Sequence, residues 1–426
     1  MPTKPSRLPP ATAFRPWPLK GLMRGLEHLW DRGLQPPADL SWARIVERAE
    51  RETGLSDHGD TAFLQAQRDV LIPALREEAR LNTLGRVIAH GTLLKIVKER
   101  LWAEELFKRH PEIDREELAP PLVVVGPMRS GTTRLQRLLA ADPMFSGLRL
   151  YESACPVPWP RSFTRTPDPR IARTRFGLRV ISWINPATLD VHPTGPLEVD
   201  EELGMLEHSL AGALIEAQRR VPSFARHGET TDLKPAYERM RRLLKLRQWF
   251  TGDRRPLVLK TPQTMQDLAT FHAVFPGARY VFTHRDPVAI VASSASLAWN
   301  QMVVQSDEVD PCWVGQEWLH KTRLRIDRCL RDRAAIPADR QIDVTFEEVD
   351  RNWPRTVARI YAHFGWDWTP MARAAMTAYV RRAAREHGFA RHRYAPEDFG
   401  LDAGAVAERF RDYAERFDLK PLARAA

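Results

Sequence analysis

Three cysteines, Cys155, Cys312 and Cys329, are all that this chain of 426 residues carries, and they lie far apart. No CxxC pair or Cys/His cluster occurs, which excludes a disulfide framework and a structural zinc site. Long apolar runs are missing as well, since nothing in the sequence approaches the roughly 18 residues of a membrane span. The opening MPTKPSRLPPATAF has no apolar stretch of the kind a secretory leader needs. These absences predict a reduced, cytoplasmic protein without a membrane span. Internal repeats and low-complexity segments are also lacking, which excludes solenoids and wholesale disorder. Acidic residues are the minority charge: 54 Asp and Glu against 64 Lys and Arg leave a net charge of +10. Such a balance favours anionic partners, whether nucleic acid, an acidic surface or a phosphate-bearing small molecule.

What is present divides the chain into three. Residues 1–16 read as a flexible tail, and 17–118 as a helical N-terminal region. The latter begins with Leu19, Leu22, Met23, Leu26, Leu29 and Trp30 at helical spacing, interleaved with Lys20, Arg24 and Glu27. A basic amphipathic helix suits a membrane surface or a seat on its own domain; the second is the reading taken. The character changes at Pro120-Pro121. Leu122-Val-Val-Val125 is short, apolar and β-branched, as a buried parallel strand requires. Further short runs at 257–259, 280–282 and 342–344 alternate with helical patterns at 235–250, 264–275 and 287–299, and helices return over 346–420. Gly147–Tyr151 reads as a further strand. Alternation of this kind means βαβ units. The expected fold is α/β, a three-layer P-loop type with a central parallel sheet, flanked by the helical N-terminal region and a helical C-terminal part. Residues 119–426 are expected to form the α/β domain. Within it, the proline- and arginine-rich segment 155–196 reads as an irregular substrate loop.

Chemistry concentrates where the strands end. Gly126-Pro-Met-Arg-Ser-Gly131-Thr132-Thr133 follows the first strand and opens a helix, so backbone N–H groups and the helix dipole converge on an anion. The Gly-x4-Gly spacing fits the Walker A frame, but the lysine after the second glycine is replaced by Thr132 and the cation is Arg129, inside the loop. At the next strand end, Arg285 is followed by Asp286-Pro287, a helix start, and Ser293 comes eight residues after Arg285, about two helical turns on. Lys260-Thr261-Pro262 closes the strand 257–259, which puts its lysine at the same edge of the sheet.

The ordered set GxxRSGTT, KTP and HRDP-x5-S resembles the bacterial-type sulfotransferase family of the P-loop sulfotransferase superfamily. The resemblance implies 3′-phosphoadenosine 5′-phosphosulfate (PAPS) as donor cosubstrate, its desulfated product 3′-phosphoadenosine 5′-phosphate (PAP), and no metal. It covers 120–300 closely and 340–402 loosely, and leaves 1–118 unmatched. On this resemblance Arg129, Ser130, Gly131, Thr132 and Thr133 cradle the 5′-phosphosulfate. Arg285 and Ser293 hold the 3′-phosphate, Lys260 lies near the transferring group, and Arg391 in the stretch Arg391-His392-Arg-Tyr394 closes over the nucleotide. The family's usual aromatic or histidine two residues after the proline is Thr264 here.

Sulfuryl transfer needs cations at the leaving phosphate oxygen and a base at the acceptor. Arg129 and Lys260 fill the first role. For the base, Glu152 is favoured at the end of the apparent strand Gly147–Tyr151, and His192, Glu198, Glu201 and His208 stay open. The acceptor is expected to be a small, partly apolar molecule with a hydroxyl or amine, and no nucleic-acid partner is expected. Two other readings remain: a P-loop NTP-dependent kinase-like enzyme, which lacks its lysine, and a non-catalytic polyanion-binding module, motivated by the charge.

Overall fold

Leu122–Val125 can be buried on both faces because no side chain in it is polar, and it forms the central strand β1 with every residue buried. In the computed structural model, which describes Leu8 and residues 15–34, 37–159, 166–188, 192–386 and 394–420, four strands join it. These are β2 (Ser146–Gly147), β3 (Leu257–Leu259), β4 (Arg279–His284) and β5 (Gln341–Thr345). All pair in parallel, in the order β2-β3-β1-β4-β5. Val123 stands opposite Leu259 on one side and Tyr280 on the other, so three strands run out at one edge.

Alternate residues of β1 enter different cores. Val123 and Val125 pack with Leu243, Leu244, Phe271, Val291 and Ala295, whereas Leu122 and Val124 pack with Leu135, Leu139, Val357 and Ile360. The sheet is therefore the middle of three layers, with helices Lys234–Thr251 and Pro287–Gln305 on one face and Thr132–Leu139 and Phe346–Phe364 on the other. β5 alternates half-buried and buried residues, as an edge strand does.

The helix Pro287–Gln305 starts where the Asp286 carboxylate accepts from the Val288 amide at 3.1 Å, with proline in its first turn. It is long and apolar enough to cross a bilayer, contrary to the sequence expectation, yet 78% of its apolar stretch is buried inside the protein. A helix surrounded by its own domain has the same composition as one surrounded by lipid.

The N-terminal helices do not stand apart. In helix Thr83–Arg109, Ile96 and Val97 pack with Leu210, Ile215, Val221 and Phe224, while Ala103, Leu106 and Phe107 enter the core beneath the sheet. Of the expected tail, residues 1–7 and 9–14 lie outside the described residues. Arg15 is buried and paired with Asp307, which ties this end to the core.

Two expectations are corrected. The segment 155–196 is not irregular throughout, because Pro169–Ile184 is a helix whose N-cap Asp168 accepts from the Arg170 amide at 2.9 Å. Arg170 itself lies over the rings of Tyr151 and Phe250. The strand expected over Gly147–Tyr151 stops at Gly147, and Leu150–Ala154 is a short helix. Arg149 instead bridges to Val199, and the Leu150 amide donates to the Glu198 carbonyl.

Candidate active site

β1 sits between β3 and β4, so the chain leaves it toward opposite sides of the sheet, and such a switch point at the carboxyl edge is where open α/β sheets bind ligands. Residues 126–131 fill this point. Gly126 is required by space: a Cβ there would lie 2.0 Å from the Thr283 hydroxyl. The Ser130 hydroxyl, 1% exposed, donates to the Pro127 carbonyl at 2.7 Å and lies 2.7 Å from the same Thr283 hydroxyl. Gly131, at φ +83°, turns the chain into the helix Thr132–Leu139. No side chain caps that helix, which leaves its first N–H groups for the loop's interior. Arg129 adopts φ +70°, a conformation that costs a non-glycine residue roughly 1 kcal/mol or more.

The second element meets the first directly. Arg129 Nε donates to Ser293 Oγ at 2.9 Å, and Arg285 Nη1 donates to the Arg129 carbonyl at 2.5 Å. Arg285 also lies over the Phe346 ring, 4.1 Å from its centre, and its Nε is buried without a hydrogen-bond partner. Among the described residues no carboxylate is ion-paired with Arg285. Burial draws the Arg129 guanidinium below its ordinary value; Tyr394 opposes that shift and the like charge of Arg285 adds to it. Two guanidinium groups and a buried serine thus surround one loop, an arrangement suited to an anion.

Lys260 is buried, and its ammonium donates to Thr133 Oγ1 at 3.0 Å and to Glu201. Its own amide donates to Glu202 Oε2 at 3.0 Å. Glu202 is fully buried, its Oε1 has no partner, and burial pushes its carboxyl up to about 7.

The candidate bases separate. Glu152 is not at a strand end. It sits on the helix Leu150–Ala154 with both oxygens engaged, Oε1 accepting from Arg247 Nε at 3.0 Å and Oε2 from the Arg149 amide at 2.8 Å. At 2% exposure it joins two helices rather than facing the loop. Glu198 is paired with Arg382 at 3.4 Å. His192 lies 3.6 Å from Asp200; burial would raise that carboxyl, but His192, Lys260 and Arg137 together hold it well below the usual carboxylate range. His208 is buried, and burial drives its imidazole well below its ordinary value. Glu201 alone of the set touches Lys260, and its carboxylate is partly exposed.

Arg391 and His392 lie outside the described residues. Thr283, Phe346 and Glu202 were not singled out from sequence. Thr283 and Phe346 each stand at the carboxyl end of a strand already recognised, and that position is the signal that could have found them.

Comparisons with known proteins bear on the family and the fold. Residues 120–370, more than half of the chain, match the model of the family described as Sulfotransferase family. Among solved structures the chain resembles sulfotransferase STF1 from Mycobacterium tuberculosis H37Rv, with a TM-score of 0.74 and 29% identity, over 87% of this chain and 98% of that one. It also resembles sulfotransferase STF9 from Mycobacterium avium, with a TM-score of 0.78 and 22% identity, over 90% of this chain and 98% of that one; this second likeness speaks to the fold. The search of curated proteins finds no match.

Proposed function

The chain belongs to the sulfotransferase family, and on that premise we propose that it moves a sulfuryl group from PAPS to a hydroxyl or amine of a small acceptor. One observation carries the choice of donor. Arg285 enters the phosphate loop from the neighbouring strand with a buried Nε that has no hydrogen-bond partner and, among the described residues, no carboxylate ion-paired with it. Arg285 as a whole is half-buried, but a buried N–H without an acceptor is costly unless a ligand completes it, and a 3′-phosphate supplies both charge and acceptors. Arg285 and Ser293 hold that group, and the N–H groups of residues 130–133 with Arg129 hold the 5′-phosphosulfate.

Lys260 touches both the loop, through Thr133, and Glu201. We assign the base to Glu201 on this contact and leave Glu152 a structural role. The acceptor oxygen gives its proton to Glu201 and forms a bond to sulfur while the bond from sulfur to the phosphate oxygen breaks. Negative charge then grows on that oxygen, where Lys260 and the loop amides stabilise it. The products are a sulfated acceptor and PAP. A kinase-like reading has less support, since Thr132 stands after Gly131 where a P-loop kinase carries its lysine.

Thermal unfolding with PAP, compared with ATP and Mg2+, tests the reading. A ligand at 100 times its dissociation constant stabilises by about 2.7 kcal/mol, so PAP should raise the Tm and ATP with Mg2+ should not. The reverse pattern would overturn the donor assignment.

A further inference from the structure

Most of the large apolar side chains left in solvent among the described residues lie on or beside three helices, with Met144, Leu197 and Met371 elsewhere. Those most exposed include Trp17 (84%), Leu22 (59%), Phe176 (69%) and Trp183 (47%). They sit on two helices, Trp17–Asp31 and Pro169–Ile184, which meet in one small cluster of Leu19, Met23, Ile181, Ile184 and Val304. On the second helix Phe176, Val180 and Trp183 stand at i, i+4 and i+7, a single stripe beside the face that the cluster buries. The first repeats the pattern, with Leu22 and Leu29 seven residues apart next to buried Leu19 and Met23. Leu84 and Ile88 of helix Thr83–Arg109 pack on the same cluster and leave Val87 exposed between them. Contiguous exposed apolar surface of this kind marks an interaction site.

Charge selects the partner. The exposed ionic residues of these stretches are Lys20, Arg24, Arg32, Arg173, Arg175, Arg179 and Arg86 against Glu27 and Asp31. Arg175 and Arg179 follow the Phe176–Trp183 stripe one turn apart, so long cationic side chains flank a row of rings and a branched aliphatic. Aromatic and aliphatic groups bordered by arginine and lysine fit the boundary between acyl chains and anionic headgroups. A nucleic acid would use the cations but leave the apolar stripe exposed, and a soluble acidic protein partner would have to bring its own apolar face.

We propose that this two-helix patch docks the protein on an anionic lipid surface, with the Phe176, Val180 and Trp183 side chains entering the headgroup region. The patch lies on the helix Pro169–Ile184, outside the phosphate loop, so the inference stands independently of the donor assignment.

Sedimentation of the full chain with vesicles tests it. The protein should co-sediment with equimolar phosphatidylglycerol and phosphatidylcholine, and at least roughly tenfold less with phosphatidylcholine alone or in high salt. Phe176→Asp with Trp183→Asp should lower binding to the anionic vesicles by roughly tenfold or more. Arg175→Glu with Arg179→Glu, at exposed positions where folding is not at risk, should do the same, and neither pair should move the Tm. Equal binding to both vesicle types, or unchanged binding by both variants, would overturn the proposal. So would a large fall in Tm with the aspartates, which would mean the chain's own residues cover the patch. A wild-type dimer that the aspartates split, without vesicle binding, would give the patch to a second copy and overturn it equally.

Discussion

A guanidinium taken out of water must find charge or acceptors, and the arginines of this protein show both outcomes. Arg247 is closed off by Glu152 at 3.0 Å, with Ser146 Oγ at 3.2 Å. Arg285 finds one carbonyl and an aromatic face, and keeps a buried N–H in reserve. The first is a structural pair; the second is the contact we propose for the 3′-phosphate. The same contrast separates the carboxylates. Both Glu152 oxygens are used, while Glu201 meets Lys260 beside the phosphate loop. Glu201→Gln should therefore keep PAP affinity and lower turnover by roughly 10²-fold or more, measured as sulfuryl transfer at saturating donor. Full turnover in this variant would move the base elsewhere.

At the level of elements, the Glu152–Arg247 pair fastens the helix Leu150–Ala154 to the helix Lys234–Thr251. Removing one member of a buried pair strands the other, so Glu152→Ala should cost about 3–5 kcal/mol of stability, read from urea unfolding. A loss of turnover at unchanged stability would contradict the structural role. This element is also where the sequence was hardest to read. Runs such as Leu122–Val125 and Leu257–Leu259 announce themselves because a strand covered on both faces has no polar residue. Residues 147–154 give no such sign. Val199 packs against Gly147 and the Glu198 carbonyl takes up the Leu150 amide, so the end of β2 is decided by a segment about 50 residues away. The site divides likewise. Lys260 and Arg285 stand at strand ends, Arg129 lies in the loop after β1, and Ser293 lies two turns into the helix after Arg285, positions that the motifs of the resemblance mark in the sequence. Glu201 reaches Lys260 only through the tertiary fold, across 59 positions, and no local pattern distinguishes it from Glu198.

On the scale of the whole molecule, burial pushes the carboxyls of Glu99, Glu202 and Asp267, among the described residues, up to about 7. A carboxyl whose pKa is raised by folding binds more protons in the folded state, so its contribution is lost as pH rises from its ordinary value of 4.5 or below toward 7. His208 and His284, held below their ordinary value by burial, act oppositely as pH falls below about 6.5. Comparing wild type with Glu202→Gln isolates one group. From pH 5 to 8 the wild-type Tm should fall relative to that of the variant, and parallel curves would contradict the raised carboxyl.

The proposed donor site is central here, and the 3′-phosphate contact we assign to Arg285 is the part that belongs to this chemistry and not to P-loops at large. The direct measurement is the dissociation constant of PAP against that of 5′-AMP, in wild type and in Arg285→Ala. Charge-assisted hydrogen bonds of about 1.5–3 kcal/mol correspond to roughly 10- to 100-fold. Wild type should prefer PAP by that factor, and in Arg285→Ala the preference should shrink to within about threefold at an unchanged Tm. Equal affinities in wild type, or a preference that survives the loss of Arg285, would contradict the assignment.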